Sequence, residues 1–199
     1  MKNKPDINRV VEFNQLLLTL RAINRKVHIP PANKQPENDV EHSYNLAMAA
    51  WFLAQYFPEI DLDKVVRLAL AHDLIEVHSG DTFSYGSQEE LSSKDAREQA
   101  AREQLEHDWP DFPALLESIQ EYEARQTPEA KFVYSLDKLM PAILNYLGKG
   151  GVWTKHAITL EQFRHEKESK MPISPEIYPY YEELLEILKQ HPSYFHQGR

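Results

Sequence analysis

The chain has 199 residues, a formal net charge of −9 at pH 7 and no cysteine, and this length favours one domain spanning residues 1–199. The lack of cysteine excludes disulfide bonds and thiolate metal ligands within this sequence and is typical of a reducing compartment, so we expect a cytoplasmic protein. The acidic balance argues against binding of duplex nucleic acid, and the absence of an 18-residue apolar run or an apolar signal segment predicts no membrane association.

Helical periodicity dominates the chain, and no segment shows the alternation typical of a strand. The proline-rich segment 28–38 and the Ser/Gly-rich segment 78–91 predict loops. In chain order, apolar spacing, caps and breakers predict helices over residues 7–27, 40–57, 61–77, 93–108, 113–125, 128–147 and 175–190. The fold expected from this pattern is all-α, a single-domain helical bundle.

The third predicted helix ends in the most informative segment of the chain, VVRLALAHDLIEVHSGD at 65–81. Its first part is apolar on nearly every face, which is typical of a buried helix. It nevertheless carries His72, Asp73 and Glu76, and Glu76 neighbours the other two at helical spacings of four and three residues. Ionised carboxylates in such a place are costly unless a cation meets them, so the segment predicts a shared metal or ion site.

The same His-Asp dipeptide recurs at His107-Asp108, in the segment REQLEHDWPDFP. Charged residues surround this second copy and Pro110 follows it, so it predicts a solvated helix end. The dipeptide alone is therefore weak evidence, and the apolar setting distinguishes the first copy.

Two further residues are candidate metal ligands because they begin or lie within apolar helices. His42 lies at the start of the second predicted helix, where the alternative is a histidine bonded to backbone. Asp137 lies in KFVYSLDKLMPAIL, where the alternative is an ion pair with Lys138. Together with the first His-Asp pair they supply two nitrogen and two oxygen donors, a set that suits a first-row divalent metal with positions left for water.

Two carboxylates remain beside this set. Glu76 lies one helical turn beyond His72, and its alternative roles are a pair with Arg67 or a solvated last turn. Asp81 follows a glycine at the helix end, where the alternative is a turn residue that caps its own loop. In the functional interpretation both handle protons around a metal-bound water.

The ordered motifs VEHS, HDLIEVHSGD and SLDKL, spread over residues 41–139 and with TPEAKF before the last, resemble the HD-domain metal phosphohydrolases. The resemblance is closest to the branch of 5′-deoxynucleotidases. It implies an HD-domain helical fold, one divalent metal ion per chain (Mn, Co, Fe, Ni, Mg or Zn) and a phosphohydrolase activity. The metal ligands that it implies are His42, His72, Asp73 and Asp137.

The resemblance also implies roles for three residues around the metal. Glu76 would orient or deprotonate the attacking water, and Asp81 would contact the substrate near its leaving oxygen or sugar. Arg25 would hold the phosphate, with Arg21 as the alternative. We place Arg25 at the C-terminal end of the first predicted helix.

The implied substrate is a small anionic phosphorylated compound, a nucleoside or deoxynucleoside 5′-monophosphate, and the expected assembly is a homodimer. The alternatives are a superfamily hydrolase of a phosphodiester, cyclic nucleotide or guanosine polyphosphate, and a metal-stabilised regulatory module without catalysis.

Two positions bear on substrate selection. Deoxy-selective members of the family carry an aromatic residue after the phosphate-binding arginine, where this chain has Lys26, and this departure predicts weaker discrimination against ribose. Trp153 is a candidate for stacking on a base, although a tryptophan between helices is more often a core residue.

Overall fold

The computed structural model describes residues 4–30 and 35–198. Helices form most of this part of the chain, and its sheet is one antiparallel pair of short strands. The all-α prediction is therefore confirmed, with a small hairpin added to it. The elements are α1 (Ile7–Arg21), β1 (Asn24–His28), β2 (Pro36–Asn38), α2 (Asp39–Ala54), α3 (Leu62–Ala71), α4 (Glu76–Ser79), α5 (Gln88–Asp108), α6 (Pro113–Ala124), α7 (Pro128–Leu147), α8 (Gly151–Lys155), α9 (Leu160–Glu168) and α10 (Tyr178–Lys189).

The hairpin corrects the prediction at the N-terminal end of the chain. The first helix ends at Arg21, and the residues predicted to continue it form β1, which pairs with β2. The predicted loop over 28–38 is therefore wrong at His28 and at residues 36–38, while residues 31–34 lie outside the described part. Strands of this length show no recognisable alternation, because their stability comes from cross-strand and tertiary contacts that the local sequence does not reveal.

The helix α9 was not predicted, because its sequence LEQFRHEKE is mostly charged and buries only Phe163 and Lys167. The signal that could have found it is the capping box at its start. The Thr159 hydroxyl accepts from the Gln162 backbone N–H, and the Gln162 side chain accepts from the Thr159 backbone N–H. A similar capping box formed by Ser87 starts α5 earlier than predicted.

The core lies around α7, which packs against α2, α3 and α6. Phe132 and Val133 of α7 are fully buried, and Trp153 is 2% exposed and stacks on Phe195 with ring centroids 4.4 Å apart. Trp153 is therefore packed in the core, which is the more common role expected for it, and it also lines the smaller of the two clefts described below. Within the described residues, no helix is long and apolar enough to cross a membrane.

Candidate metal centre and active site

The first pair of candidate ligands joins the start of α2 to the middle of α7. An Asn38–Glu41 capping box starts α2, so that His42 lies in its first turn and points into the core, 1% exposed. The His42 Nε2 atom lies 2.9 Å from Oδ1 of Asp137, which is also 1% exposed. The two residues are 95 positions apart in sequence, and only the packing of α2 on α7 brings them together.

The second pair lies where α3 gives way to a tighter turn. After Ala71 the backbone bonds shorten from four-residue to three-residue spacing, with Leu74 N–H bonded to Ala71 O at 3.1 Å and Glu76 N–H to Asp73 O at 2.9 Å. The predicted continuous helix to residue 77 is therefore wrong at this point. In such a turn side chains three residues apart eclipse each other, so Asp73 and Glu76 face the same way.

The hydrogen bonds of His72 determine which of its ring nitrogens is available. Its Nδ1 lies 2.8 Å from the Ala69 carbonyl oxygen, which can only accept, so Nδ1 carries the proton. In the neutral ring Nε2 then presents a lone pair, 3.0 Å from Asp73 Oδ2 and 3.8 Å from Asp137 Oδ1. This Nε2 is buried and has no hydrogen-bond partner. A lone pair that faces two carboxylates requires a proton or a metal cation between them.

The four predicted ligands therefore converge. Around the ring of donors, the separations are 2.9 Å for His42–Asp137, 3.8 Å for Asp137–His72, 3.0 Å for His72–Asp73 and 3.8 Å for Asp73–His42. Ligands bound about 2.1 Å from one metal ion lie roughly 3.0–3.5 Å apart when adjacent. The donor set N₂O₂, its spacing and the orphaned Nε2 all fit a first-row divalent metal.

Three groups lie against these ligands, and two of them, Glu37 and Tyr122, were not predicted from the sequence. The buried Glu37 of β2 places Oε2 at 3.4 Å from His42 Nδ1. The Tyr122 hydroxyl of α6 donates to Asp137 Oδ2 at 2.7 Å, and Lys138 Nζ lies at the same distance from this oxygen. The predicted alternative for Asp137, a pair with Lys138, is thus present, but it engages the oxygen that faces away from His42. Ligand-orienting contacts of this kind normally accompany a metal site.

The charges of the neighbours explain the protonation of Asp137 and Glu76. Burial acts to raise the pKa of Asp137, but Lys138 and the two histidines outweigh it and hold the pKa well below its usual range. Burial raises the pKa of Glu76 to about 11, and Asp73, Asp39 and Asp81 add to the effect. One Glu76 oxygen is buried without a hydrogen-bond partner. Glu76 is therefore a carboxyl that holds a proton in the cation-free protein.

Arg25 is the counter-ion of the carboxylates of Asp39 and Asp73. It lies in β1, not at the end of α1, so the predicted placement is wrong, although the residue does reach the site. Its Nη1 lies 2.9 Å from Asp73 Oδ2 and 3.5 Å from Asp39 Oδ1. The alternative, Arg21, is exposed at the end of α1. Arg25 therefore reaches the site because it lies in the hairpin, and a continued first helix would have placed it elsewhere.

Two clefts open onto this centre and share Arg25, Asp81, Thr82, Ser84 and Lys138. The smaller cleft also reaches Asp137, and the larger cleft reaches His72, Asp73 and Glu76. Asp81 follows Gly80, whose positive φ of 72° turns the chain back toward the centre. The predicted substrate residues Arg25 and Asp81 thus lie at the junction of both clefts.

The profile of the HD-domain family matches residues 17–178 of the chain. The chain belongs to the HD-domain family. The motif-bearing residues 41–139, which include the four converging donors, lie inside the matched segment.

Individual relatives agree with the family. The chain is 31% identical to the 5′-deoxynucleotidase HDDC2 of Bos taurus and 30% identical to that of Homo sapiens, each over 131 residues. Each match covers 65% of this chain but only 62% and 63% of the two relatives, so the chain spans less than two thirds of their length.

Among solved structures, the fold of this HD-domain protein resembles that of a predicted metal-dependent phosphohydrolase from Magnetospirillum magnetotacticum MS-1. That similarity has a TM-score of 0.77 at 29% identity and covers 94% of this chain and 98% of the other. A conserved hypothetical protein from Pyrococcus furiosus matches with a TM-score of 0.66 at 25% identity, over 90% of this chain and 99% of the other.

Proposed function

We propose that this HD-domain protein is a metal-dependent phosphohydrolase that releases phosphate from nucleoside 5′-monophosphates, including the deoxy forms. The observation that carries the proposal is the convergence of two imidazole nitrogens and two carboxylate oxygens at the junction of two clefts. The names of the relatives, 5′-deoxynucleotidase and metal-dependent phosphohydrolase, support the same chemistry.

In this proposal His42, His72, Asp73 and Asp137 hold one divalent ion. When bound, the ion would polarise a phosphate oxygen and activate a water molecule for attack on phosphorus. The protein's part is to present the four donors already assembled, with the Tyr122 hydroxyl donating to Asp137 and the Glu37 carboxylate lying 3.4 Å from His42.

Glu76 orients the attacking water and accepts its proton. It lies beside Asp73 in the tight turn after α3, and it lines the larger cleft. Its raised pKa arises from burial among carboxylates, and the positive charge of a bound cation would offset their repulsion and bring the pKa down toward neutrality. A base whose pKa lies near the working pH is effective in proton transfer.

Arg25 and Asp81 both lie at the junction of the clefts and contact the substrate there. The Arg25 guanidinium carries positive charge beside the centre and lines both clefts, so it can stabilise negative charge on the phosphoryl oxygens. Burial raises the pKa of Asp81, against the opposing effect of Arg25. A carboxyl that retains its proton more readily than usual can assist the departure of the sugar oxygen.

We also propose a homodimer, in which the exposed face of α2 packs on a second copy. Tyr44, Met48, Trp51 and Phe52 of α2 and Tyr56 just beyond its end are each at least 46% exposed. A contiguous aromatic stripe of this size is unusual on a monomer. Light scattering of the wild type should give twice the chain mass, and Trp51→Lys should shift it toward the monomer. A monomeric wild type would refute the assembly.

The cytoplasmic location and the absence of nucleic-acid and membrane partners stay predictions from the sequence.

The function is tested by phosphate release from a panel of nucleoside 5′-monophosphates after reloading with individual divalent metals. Cyclic nucleotides, phosphodiesters and guanosine polyphosphates form the comparison panel. The expected result is metal-dependent release from monophosphates that Glu76→Gln suppresses. Turnover confined to the comparison panel would refute the proposal, as would phosphate release that survives complete metal removal.

A further inference from the structure

The smaller cleft has the composition of a pocket for a flat aromatic group, and we call it the α9 cleft. The segment 82–85, the C-terminal half of α7, α8 and α9 form its walls. Its lining includes Phe83, Tyr85, Pro141, Asn145 and Phe163, with the Phe83 and Tyr85 rings 5.5 Å apart. Apolar and aromatic side chains make up about half of its lining and polar or charged side chains the rest, and small-molecule sites typically combine apolar walls with placed polar groups. Because Asp137 and Lys138 line its inner end, a group in this cleft lies beside the metal ligands.

The larger cleft has a different character, since charged side chains form much of its wall. They pair with each other, as in Lys94–Glu98 at 3.3 Å and Arg102–Glu123 at 2.5 Å. A neutral aromatic ring would gain little there and would displace water from ionised groups. With the phosphate at the junction of the two clefts, the nucleoside is therefore better accommodated in the α9 cleft.

Away from the metal ligands, the α9 cleft contains a buried charged side chain. Lys167 of α9 is 6% exposed and lines the cleft, and its ammonium lies 3.0 Å from Glu166 Oε2. Lys170 pairs with the other oxygen of the same carboxylate, so two ammonium groups share one negative charge. Burial lowers the pKa of Lys167. An ammonium has three N–H donors and no acceptor, so Lys167 can recognise only acceptors on a ligand.

The hydroxyl group of Tyr85, in the wall of the same cleft, is buried and lacks a hydrogen-bond partner. A buried hydroxyl in this condition is unfavourable, and a small rotation of the ring toward a polar ligand would remove the penalty. The unpartnered Tyr85 hydroxyl, together with the buried ammonium of Lys167, therefore indicates a ligand with polar edges.

We infer that the α9 cleft binds the nucleobase of the substrate, and that Lys167 selects bases with an exocyclic carbonyl oxygen over adenine, which has none. The inference rests on the proposed nucleotidase function and extends it to base preference. Guanine, thymine and uracil offer carbonyl oxygens to an ammonium donor, whereas adenine has an amino group in place of the carbonyl and only ring nitrogens as acceptors. A hydrogen bond from a charged donor typically corresponds to a difference of roughly 10- to 100-fold in binding.

The test compares Lys167→Met with Lys170→Met in the metal-loaded enzyme. Both variants remove one ammonium from Glu166 and keep an apolar stem, but only Lys167 lines the α9 cleft. The substrates are dGMP, dTMP, dAMP and deoxyribose 5-phosphate, which has no base. In Lys167→Met the ratio of kcat/KM for dGMP to that for deoxyribose 5-phosphate should fall roughly 10- to 100-fold, with a smaller fall for dAMP. In Lys170→Met the same ratios should stay within about twofold of wild type.

Three results would overturn the inference. An equal loss of kcat/KM on all four substrates in Lys167→Met would assign Lys167 to phosphate binding or to folding. An unchanged ratio of kcat/KM for dGMP to that for deoxyribose 5-phosphate would place the base elsewhere. An equal effect of Lys170→Met on this ratio would show that only the charge balance around Glu166 matters. Should Lys167→Met fail to fold, the wild type decides: deoxyguanosine and thymidine should inhibit more strongly than deoxyadenosine, and equal inhibition would refute the selection. A wild type that hydrolyses no nucleoside monophosphate would instead refute the proposed function, which separates the two failures.

Discussion

The metal centre makes a quantitative prediction that the two His-Asp dipeptides of the chain can test against each other. Asp73→Asn should abolish binding of the divalent ion, because it replaces an anionic oxygen ligand by a neutral amide while the volume of the side chain is kept. Asp108→Asn is the matched control, since Asp108 also follows a histidine at a helix end but lies at the C-terminal end of α5, where its carboxylate is 3.8 Å from His78.

The magnitude follows from linkage between metal binding and folding. A ligand present at about 100 times its Kd stabilises the folded state by about 2.7 kcal/mol. A chain of this size gains roughly 2–4 °C in Tm per kcal/mol, so the metal should raise the wild-type Tm by about 5–10 °C. The Asp108→Asn variant should show the same rise.

The assay is thermal unfolding of metal-free protein before and after addition of each ion, with metal content measured after dialysis. Each variant serves as its own reference, which matters because Asp73→Asn also removes a carboxylate 2.9 Å from Arg25 and destabilises the metal-free protein. The expected result for Asp73→Asn is a metal-induced shift near zero and no retained ion. A full shift in Asp73→Asn would refute the ligand assignment, and loss of the shift in Asp108→Asn would show that the effect is not local.

The remaining predictions concern the residues around the metal. Glu76→Gln should retain the metal but lower kcat by roughly 10²–10⁴-fold. Wild-type turnover in this variant would show that Glu76 has no role in proton transfer. The same variant should stabilise the metal-free protein above pH 5. The pKa of Glu76 is raised from its ordinary value of 4.5 to about 11 in the folded protein. Between these two values the unfolded chain releases the proton and the folded protein keeps it, so the wild type loses stability as the pH rises. The variant lacks this loss, and the melting curves of wild type and variant should converge near pH 4. Arg25→Ala should raise KM for a nucleoside monophosphate more than Arg21→Ala, and the reverse order would refute the phosphate role. With the exposed Lys26 beside Arg25, kcat/KM for dAMP should exceed that for AMP by about 10²-fold or less, and strict rejection of AMP would indicate a different wall around the sugar.

The sequence by itself determined the helical class of the fold and the identity of the candidate ligands. Helical periodicity and caps predict most helices correctly, because local hydrogen bonding and one-sided burial follow from spacing alone. Similarly, His72, Asp73 and Asp137 attract attention because charged groups in apolar segments need a cation, whatever the fold.

The tertiary structure decided everything that depends on residues distant in sequence. Arg25 reaches Asp73 only because Asn24–His28 forms a strand, and Glu37 reaches His42 only because Pro36–Asn38 pairs with it. Such short strands are stabilised by contacts that the local sequence does not encode. Tyr122 and Lys167 carry no local signal either, because a tyrosine or lysine on a helix is equally compatible with solvent. Their burial, and hence their chemistry, depends on which helix packs over them.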